Sequence, residues 1–203
     1  MKISADGVRR FSIALRNAVA TGVAVDASSN IYVCGATDGD THTSSGVFLP
    51  GPFQTTPGVF QPSSGEGFVA KLDPEGKVLW ASRLSARPHA LALDASGAVY
   101  LTGMAKDNFR TTAGAVQPAM RPQQCSPDVY GSISHRSCTD AFIAKVSSDG
   151  ARLLYASFLG GSREEFGNAI AVDAAGKVYV AGETYGCLTV FGKGALYSVS
   201  GSG

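Results

Sequence analysis

Apolar and polar residues alternate along most of the chain, and short clusters of Asp, Ser, Gly and Pro interrupt the alternation. Gly22–Thr37 (GVAVDASSNIYVCGAT) shows the pattern most clearly, with one alternating run on each side of an Ala-Ser-Ser-Asn turn. Alternation flanking a polar turn predicts a β-hairpin. The same hairpin returns at Ala90–Ala105 (ALALDASGAVYLTGMA) and Ala169–Thr184 (AIAVDAAGKVYVAGET). A second hairpin, built around a Gly-containing turn, occurs at Lys2–Leu15, Phe68–Leu84 and Phe142–Leu159. Two hairpins make four strands per unit, named A, B, C and D in chain order. Strands are expected near 20–25, 30–35, 68–72, 78–84, 90–94, 98–103, 141–146, 152–158, 169–173 and 177–182. No window carries a 3.6-residue apolar period, so almost no helix is expected.

Strand A holds a packing clue. Gly22 and Ala24 alternate with Val23 and Val25, Ala90 and Ala92 with Leu91 and Leu93, and Ala169 and Ala171 with Ile170 and Val172. Successive side chains point to opposite faces of a strand, so one face is tiny and the other bulky in every copy. A strand buried on both faces, with close approach on one, needs that pattern. The innermost strands of radially packed four-stranded sheets meet the condition, which points to an all-β fold of β-propeller-type blades. A shorter motif also recurs, as Thr55–Pro62 (TTPGVFQP) and Thr111–Pro118 (TTAGAVQP).

These elements resemble the bacterial β-propeller repeats called SBBP repeats. The resemblance rests on the I-A-V-D-x-x-G-x-V-Y-V-x-G-x-T hairpin, on T-T-P-G-x-F-Q, and on D-A-F-x-A-K-x-x-x-x-G ending in Y-A-S-x-L-G-G. Asp140–Gly161 followed by Gly167–Thr184 matches nearly position for position. The resemblance implies a propeller fold and an exported or cell-surface bacterial protein, extracellular in location, and it implies no catalytic activity. The expected organisation is a C–D hairpin of a preceding blade (1–16), a blade (17–85), a second blade (86–160), the A–B hairpin of a further blade (161–184) and an atypical tail (185–203). Both ends fall inside a repeat. Either the chain is a fragment, or strands C and D from one end complete strands A and B from the other. Three blades fall below the usual range of about four to eight, so an open arc, or two chains forming a ring of six, is expected over a closed monomer.

Composition narrows the function classes. Of 203 residues, 17 are Lys or Arg and 16 are Asp or Glu, for a net charge of +1. Balanced charge gives no electrostatic case for a nucleic acid partner. Charged residues make up only 16% and glycine 25 residues, a mixture suited to a turn-rich β protein. No apolar run approaches the roughly 18 residues of a membrane span. Neither a G-x-S-x-G elbow nor a G-x-x-x-x-G-K-[ST] phosphate loop occurs, so no catalytic residue and no cofactor is expected.

The B–C connections, about 38–66 and 106–139, are the informative segments. Connections this long are uncommon in compact domains and carry function when ordered. In a propeller they emerge on one face, and the short A–B and C–D turns lie on the other, inert face. Expected exposed candidates for ligand binding are Asp38, Asp40, His42, Phe48, Phe53, Asn108, Phe109, Tyr130, His135 and Arg136. The ligand class implied is a protein or a carbohydrate. Cys125 and Cys138 bracket part of the second connection and could form a disulfide there, stay as thiols, or join His135 at a metal. A metal site would lack a fourth ligand and the tight C-x-x-C spacing, so none is assigned. Asp26, Asp94 and Asp173 open turns and are read as structural, with no calcium-loop ligand set around them. Glu164 and Glu165 are adjacent and read as a solvated turn. Trp80 stands where the other units have Phe11 and Tyr155, and is read as packing within or between blades. The expected function is a non-catalytic binding or scaffolding module, self-associating through its apolar flanks. The alternative is a propeller segment of a secreted hydrolase or lyase whose catalytic residues lie partly outside the chain.

Overall fold

The computed structural model describes residues 1–15, 17–37, 53–61, 63–121, 139–161, 163–184 and, by backbone alone, 196–199. Among them the regular structure is all β. The strands are β1 (Lys2–Ile3), β2 (Arg9–Phe11), β3 (Val19–Val25), β4 (Ile31–Ala36), β5 (Gly67–Leu72), β6 (Val78–Leu84), β7 (Ala86–Leu93), β8 (Val99–Ala105), β9 (Asp140–Val146), β10 (Leu153–Leu159), β11 (Glu165–Val172), β12 (Val178–Thr184) and β13 (Leu196–Val199). All ten expected strands are present. No helix among the described residues is long and apolar enough to cross a membrane.

The sheets are antiparallel meanders, β3-β4-β5-β6 and β7-β8-β9-β10, with a two-stranded β1-β2 and a three-stranded β11-β12-β13. The A strands lie next to one another. β7 packs against β3, β4 and β5, and β11 against β7, β8 and β9. A Cβ on Gly22 would stand 3.3 Å from the Ala90 Cα, which accounts for the tiny face of strand A. The bulky face fills the space between sheets. Leu91 and Leu93 pack into a cluster with Tyr32, Cys34, Val69, Trp80 and Leu101.

One irregularity recurs in all three A strands. A bulge falls between Ala20 and Gly22, between Pro88 and Ala90, and between Gly167 and Ala169. It turns a carbonyl onto strand B. A Cβ on Gly35 would stand 1.9 Å from Val19 O, one on Gly103 2.0 Å from Arg87 O, and one on Gly182 1.9 Å from Phe166 O. The glycine of the V-x-G-x-T motif is therefore the residue that admits the bulge.

The T-T-P-G motif has an equally local cause. β6 and β10 are edge strands whose outer groups would otherwise be unpaired. Thr56 N–H donates to Ala81 O, Ala81 N–H to Thr56 Oγ1, and Arg83 N–H to Gln61 O, each at 3.0 Å. In the next sheet Thr112 N–H donates to Ala156 O (3.0 Å), Ala156 N–H to Thr112 Oγ1 (2.9 Å) and Phe158 N–H to Gln117 O (3.1 Å). The segment covers the edge of strand D in both sheets.

Neighbouring sheets are also joined at the C–D turns. A Cβ on Gly76 would meet Ile13 Cδ1 at 2.5 Å and Phe11 Cε2 at 3.0 Å, and one on Gly150 would meet Trp80 Cδ2 at 2.5 Å. Phe11 and Trp80 thus each cover the turn glycine of the following sheet, so the packing role expected for Trp80 is an inter-sheet one.

Candidate functional site

The two ends of the sheets differ in kind. At the short-turn end, each strand A finishes in an aspartate whose carboxylate organises the A–B turn. Asp26 accepts from Ser28 N–H (2.9 Å), Asn30 N–H (2.8 Å), Asn30 Nδ2 (2.8 Å) and the Tyr32 hydroxyl (3.3 Å). Asp94 accepts from Ser96 N–H (2.9 Å), Ala98 N–H (3.0 Å), the Ser96 hydroxyl (2.6 Å) and the Tyr100 hydroxyl (3.2 Å). Asp173 accepts from Ala175 N–H (2.9 Å), Lys177 N–H (2.8 Å) and the Tyr179 hydroxyl (3.2 Å).

A strand C lysine closes the first two clasps. Lys71 lies 3.8 Å from Asp26 and 5.0 Å from the Tyr32 ring centre, and Lys145 lies 3.3 Å from Asp94 and 4.9 Å from the Tyr100 ring centre. The hydrogen bond from Asn30 and the turn N–H groups lower the Asp26 pKa below the ordinary carboxylate value. Burial alone would raise that of Asp94, but Ser96, the Ala98 N–H and Lys145 outweigh it and bring it down. These carboxylates are engaged by their own turns. The cleft of about 1110 Å³ that the turns flank, between the first two four-stranded sheets, has Asp26, Lys71, Trp80, Asp94 and Ser148 in its walls.

At the opposite end the long connections leave and return. Thr37 N–H donates to Glu66 O (2.8 Å) and the Thr37 hydroxyl to Gly65 O (2.8 Å), which pins the base of the first connection. Glu66 reaches across to the next sheet and pairs with Arg87 at 3.0 Å and Lys106 at 2.8 Å. Burial works to raise the Glu66 pKa, and the two cations overcome it and hold it below the usual value. Asn108 is exposed, in a turn closed by Phe109 N–H donating to Lys106 O at 3.0 Å.

Two expectations change here. Phe53 and Phe109, expected as exposed loop residues, are buried. Phe53 lies 4.8 Å from the Phe68 ring, and Phe109 lies 5.0 Å and 5.3 Å from the rings of Phe142 and Phe158. Each stands two residues before the Thr-Thr pair and anchors the edge-covering segment in the core. Glu165, expected in a solvated turn, is 3% exposed at the start of β11, where its Oε1 accepts from the Thr184 hydroxyl at 3.0 Å. Asp38, Asp40, His42, Phe48, Tyr130, His135 and Arg136 lie outside the described residues, as do Cys125 and Cys138.

Sequence reasoning overlooked the buried polar residues at this end. Asp140 is fully buried and accepts from Gln117 Nε2 at 2.8 Å, while Gln117 Oε1 accepts the Gly160 N–H at 3.0 Å. Gln117 sits in the short recurring motif, and that recurrence was the available signal. His89, at the strand A bulge, lies 6.4 Å from Phe166 in a stacked arrangement. The described groups at this end are thus a carboxylate with two cations and a set of amide and hydroxyl groups bonded to carboxylates.

A comparison with family models now bears on the repeat. Residues 6–40 match SBBP, a beta-propeller repeat. This segment is similar to an SBBP repeat. The matched span runs from β2 through β3 and β4, so the SBBP unit crosses from one sheet to the next. The hairpins at Ala90–Ala105 and Ala169–Thr184 repeat its A and B strands. With its four-stranded antiparallel sheets, the chain has β-propeller-type blades. No curated protein matches the chain.

Proposed function

We propose that this chain is a non-catalytic binding or scaffolding module of an exported or cell-surface bacterial protein, and that it binds through the face carrying the long connections. One observation carries the reading. Both long connections leave from the same end of the sheets, beside Glu66, Arg87 and Lys106, whereas the aspartates at the other end are engaged by their own turns. Binding groups concentrate on loops held by a rigid scaffold. The residues assigned to the ligand are Asp38, Asp40, His42, Asn108, Tyr130, His135 and Arg136, and the ligand is a protein or a carbohydrate surface. The exported, bacterial setting follows from the SBBP resemblance.

A glycan array and a panel of extracellular-matrix proteins, probed with the labelled chain, test the assignment. Replacing Asn108, Tyr130 and Arg136 together by alanine should abolish whatever signal the parent gives. Replacing Glu75 and Lys77, exposed on the short-turn face, should leave it intact. Loss of signal from the second pair alone would reject the loop-face assignment.

A further inference from the structure

The two flanks of the arc carry complementary gaps in one repeating contact. Within the arc, Leu91 and Leu93 of one strand A cover Tyr32 and Cys34 of the preceding strand B. Their counterparts in β3, Val23 and Val25, are 68% and 59% exposed. Tyr32 and Tyr100, each followed by another sheet, are 0% and 5% exposed, whereas Tyr179 is 37% exposed. One flank offers strand A valines with no strand B beneath them. The other offers a strand B tyrosine with no strand A above it.

The clasp shows the same division. Lys71 stands opposite Tyr32 and Lys145 opposite Tyr100 in the strand register, but opposite Tyr179 the register holds Ser198. The lysine that repeats Lys71 and Lys145 is Lys2. It pairs with Phe11 in β1-β2 as Lys71 pairs with Trp80 and Lys145 with Tyr155. The β1-β2 hairpin therefore holds a lysine without Asp–Tyr partners, its Nζ donating instead to Pro74 O at 2.9 Å, and β11-β12 holds Asp173 and Tyr179 with a serine at the lysine position. Between β1-β2 and the first four-stranded sheet lies a groove of about 560 Å³, lined by Phe11, Ile13, Leu15, Val23, Ile31 and Val33.

We propose that these flanks bind each other between two copies of this chain. β1-β2 of one copy takes the C and D places beside β12 of the other, displacing β13. Val23 and Val25 then cover Tyr179 and Ala181, and Lys2 completes the Asp173–Tyr179 clasp. The contact is made twice about a two-fold axis. Two whole sheets from each copy and two shared ones make six, within the range of about four to eight blades that close a propeller. The pairing also gives the β1-β2 hairpin, marginal as an isolated two-stranded unit, a sheet to join.

Sedimentation velocity of the full chain over a wide concentration range reads the proposal directly. The expected result is a dimer that does not grow further, because closure leaves no free flank. Val23→Asp with Val25→Asp should give a monomer with an unchanged far-UV spectrum, since both side chains are exposed within one copy. Lys2→Cys with Tyr179→Cys should form, on oxidation, a disulfide found only between chains and only in the dimer fraction. A parent that stays monomeric, a parent that grows beyond the dimer, or a dimer indifferent to the valine changes would each overturn the proposal.

Discussion

Trp80 donates its indole N–H to Ser148 O at 3.1 Å, and its ring occupies the space a Cβ on Gly150 would need, with Cδ2 only 2.5 Å away. Gly150 also has a φ of +72°, so an alanine there meets backbone strain and a steric clash together. Gly176 has a similar φ of +79° but nothing within 4 Å of its Cβ position. The pair separates the two effects. Gly176→Ala should cost about 1–2 kcal/mol, the left-handed penalty alone. Gly150→Ala should add about 1–3 kcal/mol of overpacking. At roughly 2–4 °C per kcal/mol for a chain of this size, thermal melts resolve the difference. Equal melting temperatures would mean that Trp80 yields to the new methyl.

Phe109 and Asn108 are neighbours with opposite fates, one buried between Phe142 and Phe158, the other in solvent. Phe109→Ala should therefore cost about 3–5 kcal/mol of stability. Asn108→Ala should change it by no more than about 0.5 kcal/mol. Urea denaturation followed by Trp80 fluorescence gives both values. A Phe109→Ala variant as stable as the parent would return Phe109 to the candidate ligand contacts.

The strands were legible because alternation is a direct record of a two-faced, half-buried sheet, and three copies of each hairpin removed the ambiguity of any one. Phe53 and Phe109 were misread because the recurring motif was read from its threonines onward. Taken two residues earlier, Phe53-Gln54-Thr55-Thr56 and Phe109-Arg110-Thr111-Thr112 align, and a phenylalanine repeated at one position marks a core site. Glu165 was misread for a different reason. A carboxylate reads as solvated unless its partner is known, and Thr184 lies nineteen positions away in the chain. Gly35, Gly103 and Gly182 were visible as a repeat, but the carbonyls they make room for belong to a bulge that leaves no signature of its own. The candidate ligand residues other than Asn108, Phe53 and Phe109 fall in the stretches of the long connections that no repeat constrains.

The aspartate clasps make stability depend on acid. Asp26, Asp94 and Asp173 all have carboxyl pKa values lowered in the folded chain. A group whose folded pKa lies below its unfolded value, about 3.9 for aspartate, stabilises the fold above that pH and loses the contribution as pH falls through the folded value. Urea midpoints should hold steady from pH 7 to about 5 and fall below about 4. Asp94→Asn should lower the midpoint at pH 7 and flatten the fall in acid. A variant profile parallel to the parent's would show that Asp94 is not one of the groups responsible.

Cys34 gives the last expectation, a chemical one. Its side chain is fully buried in strand B, and burial pushes the thiol pKa up to about 12, against the smaller opposing pull of Thr21 and the Gly22 N–H. The thiolate is the form that reacts with alkylating agents, so at pH 8 the folded chain presents almost none at this position. The Cys34 Sγ also fills the space beside Gly22, 2.9 Å from where a Cβ would be, which leaves no room for an adduct. Iodoacetamide at pH 8 should leave Cys34 unlabelled in buffer and label it in urea, in step with loss of the folded state. Peptide mass spectrometry distinguishes it from Cys125, Cys138 and Cys187. Rapid labelling of Cys34 in buffer would mean that β3 and β4 open without global unfolding, and that strand A is not the fixed inner wall that the small Gly22–Ala24 face makes possible.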